Sequence, residues 1–212
     1  MSAHGIRRGI ERRGVCLVIA APSGGGKSSL ARALIAADPS LTLSVSVTTR
    51  PPRPGERDGA DYHFVSDGEF ERLASSGALL EWAGVFGRCY GTPRAPVEQA
   101  LREGRDVVFD IDWQGFRQMR ASLPDDVVGV FLLPPHMAAL EARLRGRGDP
   151  DAAEIARRMA KARDEMSHWT EFDHVLVNDV FEESLSHVRA VLEAARCETR
   201  RLSGLPGYVA SL

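Results

Sequence analysis

The stretch Ala21-Pro22-Ser23-Gly24-Gly25-Gly26-Lys27-Ser28 limits what this chain can fold into more than any other. An apolar run, Val15-Cys16-Leu17-Val18-Ile19-Ala20, leads into it, and a helical pattern through Leu30, Leu34 and Ile35 leads out. A buried strand, a glycine-rich turn and a helix start form the context of a phosphate-binding loop. Three glycines let the backbone curl so that its N–H groups converge on phosphate oxygens, with the positive end of the helix behind them. Lys27 then reaches the β- and γ-phosphates, and the Ser28 hydroxyl offers a ligand to magnesium. The motif GxxxxGK[ST] begins here with Ala21 instead of glycine, and the small side chain is read as tolerated. Lys27 and Lys161 are the two lysines among 27 basic residues, so lysine is used sparingly, where a compact ammonium suits the task.

Such a loop predicts an α/β fold, a P-loop NTPase core with a mostly parallel sheet flanked by helices. The 212 residues suffice for one compact unit with a substantial core. With 43% apolar residues, 26% charged residues and a net charge of −2, the composition carries no basic footprint for nucleic acid. Three cysteines, Cys16, Cys89 and Cys197, have neither zinc nor disulfide spacing, which fits a reducing cytoplasm. The first fourteen residues contain Arg7, Arg8, Arg12 and Arg13 but no apolar stretch of signal-peptide or membrane-anchor length; they read as a frayed basic tail.

Leu41 to Thr49 reads as one strand. The segment Thr48-Thr49-Arg50-Pro51-Pro52-Arg53-Pro54-Gly55-Glu56 sets two arginines in a proline-stiffened loop, a cation pair suited to a phosphate. Asp61 to Val65 reads as a short strand, and Ser66-Asp67-Gly68-Glu69 as a capping box over Phe70 and Leu73. Leu79 to Phe86 reads as a strand containing Glu81, and residues 87–93 as a turn into the helix of Val97 and Leu101. Asp106 to Asp112 is an apolar strand ending in carboxylates. In an open parallel sheet this end faces the ligand, so a carboxylate there is a candidate for magnesium. Asp112 also suits a helix cap before Trp113. Gly146, Gly148 and Pro150 interrupt an arginine-rich helical stretch, which suggests a hinged flap whose cations meet a transferring phosphoryl group. Arg145 and Arg157 read as solvated helix faces.

The ordered set APSGGGKSSL, SVTTRPPRPGE, DYHFV, LEWAGVFG to YGTP, DIDWQG, LRGRG and VND resembles the guanylate kinases, from about Val15 to Ala195. The resemblance implies phosphoryl transfer from ATP to GMP with magnesium, in purine nucleotide metabolism. It divides the chain into a flexible tail (1–14), a kinase domain (15–195) and a peripheral C-terminal segment (196–212). Within the domain it implies a core (15–45, 98–135 and 170–195), a GMP-binding insertion (46–97) and a lid (136–158). Ser46, Arg50, Arg53, Tyr62 and Tyr90 then bind the GMP phosphate, Glu81 and Thr92 read guanine, and Asp112 lies at the substrate. Lys27, Arg50, Arg143, Arg147 and Arg158 act on the transferring group, Ala21 through Ser28 and Asn178 hold ATP, and Ser28 and Asp110 take the metal. The insertion and the lid are expected to move on substrate binding. Arg88 and Cys89 depart from the asparagine and tyrosine that members often carry. The resemblance leaves monomer or homo-oligomer open and implies neither a nucleic-acid nor a membrane partner. Two alternatives share these motifs: a guanylate-kinase-like interaction module without catalysis, and a P-loop kinase for another nucleotide or a sugar phosphate.

Overall fold

The structure is a computed structural model that describes residues 10–85, 87–146 and 152–212. Five strands form a wholly parallel sheet: β1 (Cys16–Ala20), β2 (Leu41–Leu43), β7 (Asp106–Asp110), β8 (Val127–Leu133) and β9 (His174–Val177), in the order β2-β7-β1-β8-β9. Central β1 is buried throughout because helices cover both faces, which explains its unbroken apolar run. Its side chains alternate between two cores. Val15, Leu17 and Ile19 pack with Leu30 and Leu34 of α1 (Lys27–Ala37) and with Val188 and Leu192 of α7 (Phe181–Arg196). Cys16, Val18 and Ala20 pack with Val97 and Leu101 of α3 (Arg94–Arg102) and Phe116 of α4 (Trp113–Ser122).

Four further strands form a smaller sheet in the order β4-β3-β6-β5: β3 (Val47–Thr48), β4 (His63–Phe64), β5 (Leu79–Val85) and β6 (Arg88–Pro93). Helix α2 (Asp67–Ser75) covers it, with Phe70 packed against Val47 and Leu79. The N-cap half of the expected capping box is present, since the Ser66 hydroxyl accepts the Glu69 N–H at 3.2 Å, while the Glu69 carboxylate accepts from Arg72. Two sequence expectations need correction. The stretch 41–49 is divided between the two sheets, because the chain leaves the large sheet after Leu43 and enters the small one at Val47. Residues 88–93 form a strand paired with both β3 and β5. They lack the apolar alternation that marks a strand because their two buried positions, Gly91 and Thr92, are adjacent and neither carries a large apolar side chain. Gly91 is needed there, since a Cβ would lie 2.9 Å from Leu79 Cδ1 and 3.0 Å from the Glu81 carbonyl oxygen.

Helices α5 (Met137–Arg145) and α6 (Ala152–Ser167) share a separate apolar cluster of Leu140, Leu144, Ile155, Met159 and Ala162. Gly148 and Pro150 of the expected hinge, and Arg147, lie outside the described residues. A short helix, α8 (Leu205–Ala210), ends the fold without burying a residue.

Arg7 and Arg8 of the segment read as a loose tail lie outside the described residues, but its residues 12–14 are joined to the segment read as a peripheral end at the base of the large sheet. Arg12 makes two hydrogen bonds to Asp106, at 2.7 and 2.8 Å, and Arg13 two to Asp126, both at 2.7 Å. Arg196 donates to Asp106 and Asp38, and Arg201, only 1% exposed, donates to the Gly14 carbonyl. Basic residues near both termini therefore neutralise buried acids that are remote in sequence, a relationship that composition cannot reveal.

Candidate active site

The phosphate loop runs from the buried end of β1 to the start of α1. Gly24 and Gly26 have φ of +85° and +94°, a region that side-chain-bearing residues rarely adopt. Space excludes side chains as well. A Cβ on Gly25 would stand 2.6 Å from Ala21 Cβ, and one on Gly26 would stand 2.7 Å from Asn178 Nδ2. The contact with Gly25 also explains Ala21: its methyl is housed because position 25 has none. Asn178, just after β9, donates from Nδ2 to the Gly25 carbonyl at 2.9 Å, while its own carbonyl accepts from Arg143 Nη2 at 3.0 Å. Arg143 Nη1 is buried without a hydrogen-bond partner among the described residues. Asn178, Arg143 and the loop line a cavity of about 340 Å³ that Phe181 also borders.

Lys27 Nζ stands 2.9 Å from Asp110 Oδ1, at the C-terminal end of the strand beside β1. The two groups are close enough to pair as charges but not aligned as a hydrogen bond, so Asp110 Oδ1 keeps buried acceptor capacity. Among the described residues no cluster of three or more acidic, histidine or cysteine side chains could cage a metal by itself. One hydroxyl, Ser28, and one carboxylate with spare capacity, Asp110, do fit magnesium, which keeps several waters and takes further ligands from phosphates.

The second group lies on the small sheet and its loop. Arg50 donates to Glu56 Oε1 at 2.8 Å and to the Pro51 carbonyl at 2.9 Å, with its guanidinium 5.3 Å from the Tyr62 ring centre. Glu56 Oε2 accepts the Arg53 N–H at 2.7 Å, so one carboxylate ties both arginine positions into the loop. The Arg50 contact, then the Arg53 N–H, hold the Glu56 carboxyl below its ordinary range. Tyr62 and Tyr90 meet edge to face at 6.1 Å. The Arg53 side chain is exposed, and the Ser46 carbonyl pairs with the His63 N–H.

Glu81 on β5 is 6% exposed, and Thr92, opposite it on β6, is fully buried. The Thr92 hydroxyl donates to Glu81 Oε1 at 2.6 Å. Burial pushes the Glu81 carboxyl up to about 7, against the lowering effect of Thr92, and the Asp112 charge adds to the rise. Asp112 caps α4, accepting the Gly115 N–H at 3.0 Å. A Cβ on Gly115 would stand 3.1 Å from Glu81 Oε2, so this glycine leaves room for the carboxylate.

The structure thus brings together Ala21 to Ser28, Asp110, Asn178 and Arg143 on one side, and Arg50, Tyr62 and Tyr90 on another, with the Glu81–Thr92 pair on the same small sheet. Arg158 pairs with Glu154 on its own helix. Glu56, Gly115 and Glu165 were not singled out by sequence. Glu56 ends the RPPRPGE segment, where an acid beside two arginines is a signal legible in the sequence, whereas Gly115 and Glu165 show their contacts only when the chain is folded.

A phosphate loop on a parallel sheet, joined to a second small sheet with its own arginine loop and buried carboxylate, defines a P-loop kinase of the nucleoside monophosphate class. Comparison with known families narrows this: the family described as guanylate kinase matches residues 13–195. The chain belongs to the guanylate kinase family. It is 60% identical to a guanylate kinase of Gluconobacter oxydans over 95% of this chain and 97% of that one. It is 57% identical to one from Granulibacter bethesdensis over 95% and 94%. The crystal structure of guanylate kinase from Anaplasma phagocytophilum superposes with a TM-score of 0.76 at 35% identity, covering 95% of this chain and 96% of that one.

Proposed function

We propose that the chain transfers the γ-phosphoryl group of ATP to GMP, giving ADP and GDP, and that the residues named above divide into a donor and an acceptor site. The observation that carries the acceptor assignment is Glu81. It is a buried carboxylate without a cation partner among the described residues. An ionised carboxylate there costs free energy unless N–H donors arrive, and guanine offers two on one edge, N1–H and N2–H. Adenine lacks that pair and would leave the carboxylate unsatisfied. Because Thr92 gives its proton to Glu81, it orients the carboxylate and can itself accept a base N–H.

Arg50 and Arg53, with Tyr62, Tyr90 and Ser46, suit the GMP phosphate, and Glu56 holds the arginine loop ready for it. The loop amides and Lys27 suit the ATP phosphates, and the cavity beside Asn178 suits the adenine. Ser28 and Asp110 would hold magnesium, which when bound neutralises charge on the donor phosphates. Arg143 and Arg158, with Arg147 from outside the described residues, supply cations for the charge that spreads over the transferring group. No protein nucleophile is required, because catalysis rests on positioning two bound substrates in line and excluding water. The insertion 46–97 and the lid 136–158 are assigned the closing movement. Among the described residues no helix is long and apolar enough to cross a membrane. With three free cysteines this agrees with a cytoplasmic setting.

The test is ADP release from ATP in the presence of GMP, AMP, UMP or ribose bisphosphate. GMP alone should support fast turnover. Absence of GMP-dependent release would leave a binding module, and preference for another acceptor would reassign the pocket.

A further inference from the structure

Glu165 is a carboxylate whose placement the proposed chemistry does not explain. It is 8% exposed and sits on α6, yet its Oε2 accepts the Ser23 N–H of the phosphate loop at 2.8 Å. Lys161 Nζ lies 3.4 Å from its other oxygen. A negative charge beside a loop built for polyphosphate is electrostatically unfavourable, and a neutral acceptor would satisfy the same amide without that repulsion. What the side chain adds is reach, an acceptor oxygen carried across from α6 to the loop backbone.

Helices α5 and α6 also meet the loop one residue further on. Ile155, Met159 and Ala162, at helical spacing on α6, pack with Leu140 and Leu144 of α5. Those leucines abut Gly24, where a Cβ would lie 3.2 Å from Leu140 Cδ1 and 3.0 Å from Leu144 Cδ2. Ser23 and Gly24 therefore carry both attachments. Arg158 lies seven residues before Glu165, which is two helical turns, on the same stripe and about 10 Å along the axis.

We propose that Glu165 is a positioning residue that anchors α6 to the phosphate loop, so that Arg158 is placed relative to the loop that holds the donor phosphates. This rests on the kinase reading above. The anchor makes reach decisive. Glu165→Asp keeps the charge but withdraws the carboxylate by one methylene, so α6 must shift or release Ser23. Glu165→Gln keeps the reach and an acceptor oxygen but loses the charge.

The test compares kcat, the KM for ATP and the KM for GMP in these two variants, with thermal melts to confirm folding. The Asp variant should lose about 10- to 100-fold in kcat, because small misplacements of a catalytic group cost that much. Its KM for GMP should stay within about threefold, and the Gln variant should stay within about threefold in kcat. Equal loss in both variants, greater loss in Gln, or no loss in Asp would overturn the anchor. Amide hydrogen exchange on the unmodified chain provides a second reading that needs no variant and no activity. Protection of the Ser23 N–H supports the anchor, and exchange at the rate of an open loop overturns it. A wild-type chain inactive toward GMP would overturn the kinase reading, while Ser23 exchange would still decide the anchor.

Discussion

The Thr92 hydroxyl donates across the β5–β6 hairpin to Glu81, 2.6 Å away, and both groups are buried. The bond offsets only part of the burial, and the carboxyl remains raised to about 7. Protonated, Glu81 could not accept both N–H groups of a guanine edge. The KM for GMP should therefore rise as pH falls below 7, approaching about tenfold per unit, while the KM for ATP changes little. Initial-rate kinetics from pH 5.5 to 8.5 check this.

The same group sets a stability cost with a definite sign. Its folded pKa lies above the unfolded value, so the folded chain binds the proton more tightly. Stability falls as pH rises from about 4.5 to about 7 and stays lower above that range. Glu81→Gln removes the ionisation and should stabilise the protein at pH 8 by up to about 3 kcal/mol while abolishing the preference for GMP. Urea unfolding at pH 5 and pH 8 measures the first effect, and acceptor competition measures the second.

Thr92→Val keeps shape but deletes the donor. Glu81 should then ionise at still higher pH, and the acid limb of the GMP profile should move to the alkaline side with kcat retained at high pH. A profile that does not move would remove Thr92 from the recognition of the base.

Gly26→Ala places a methyl 2.7 Å from Asn178 Nδ2 at a φ of +94°. The loop must distort or release Asn178. A loss of about 100-fold or more in kcat/KM for ATP is expected, with GMP affinity preserved. Calorimetric titration with each nucleotide separates the two.

Asp106→Asn should destabilise by about 3–5 kcal/mol. It weakens contacts with Arg12 and Arg196 and with the Val15 N–H, because it removes the buried negative charge that the two arginines share. A melt shows the loss, and the KM values of the folded variant should be unchanged.

Local chemistry accounts for what could be read from the chain before folding. A run such as Val15 to Ala20 is apolar because both faces of its strand are covered, and Gly24 to Gly26 are glycines because Gly24 and Gly26 occupy left-handed backbone and Gly25 and Gly26 lack room for a Cβ. The Ser66 cap and the parallel α/β core belong to the same category, since their signals lie within a few neighbouring residues. Strand β6 left no such trace, because it is paired on either side and its adjacent buried residues, Gly91 and Thr92, make no apolar alternation. Relations across long separations were equally hidden: Glu165 with Ser23, Asn178 with Gly25, Gly115 beside Glu81, and Arg12 and Arg196 on Asp106. A carboxylate or an arginine has the same chemistry wherever it stands in the chain. Its burial, partner and ionisation follow from which distant segments folding brings against it.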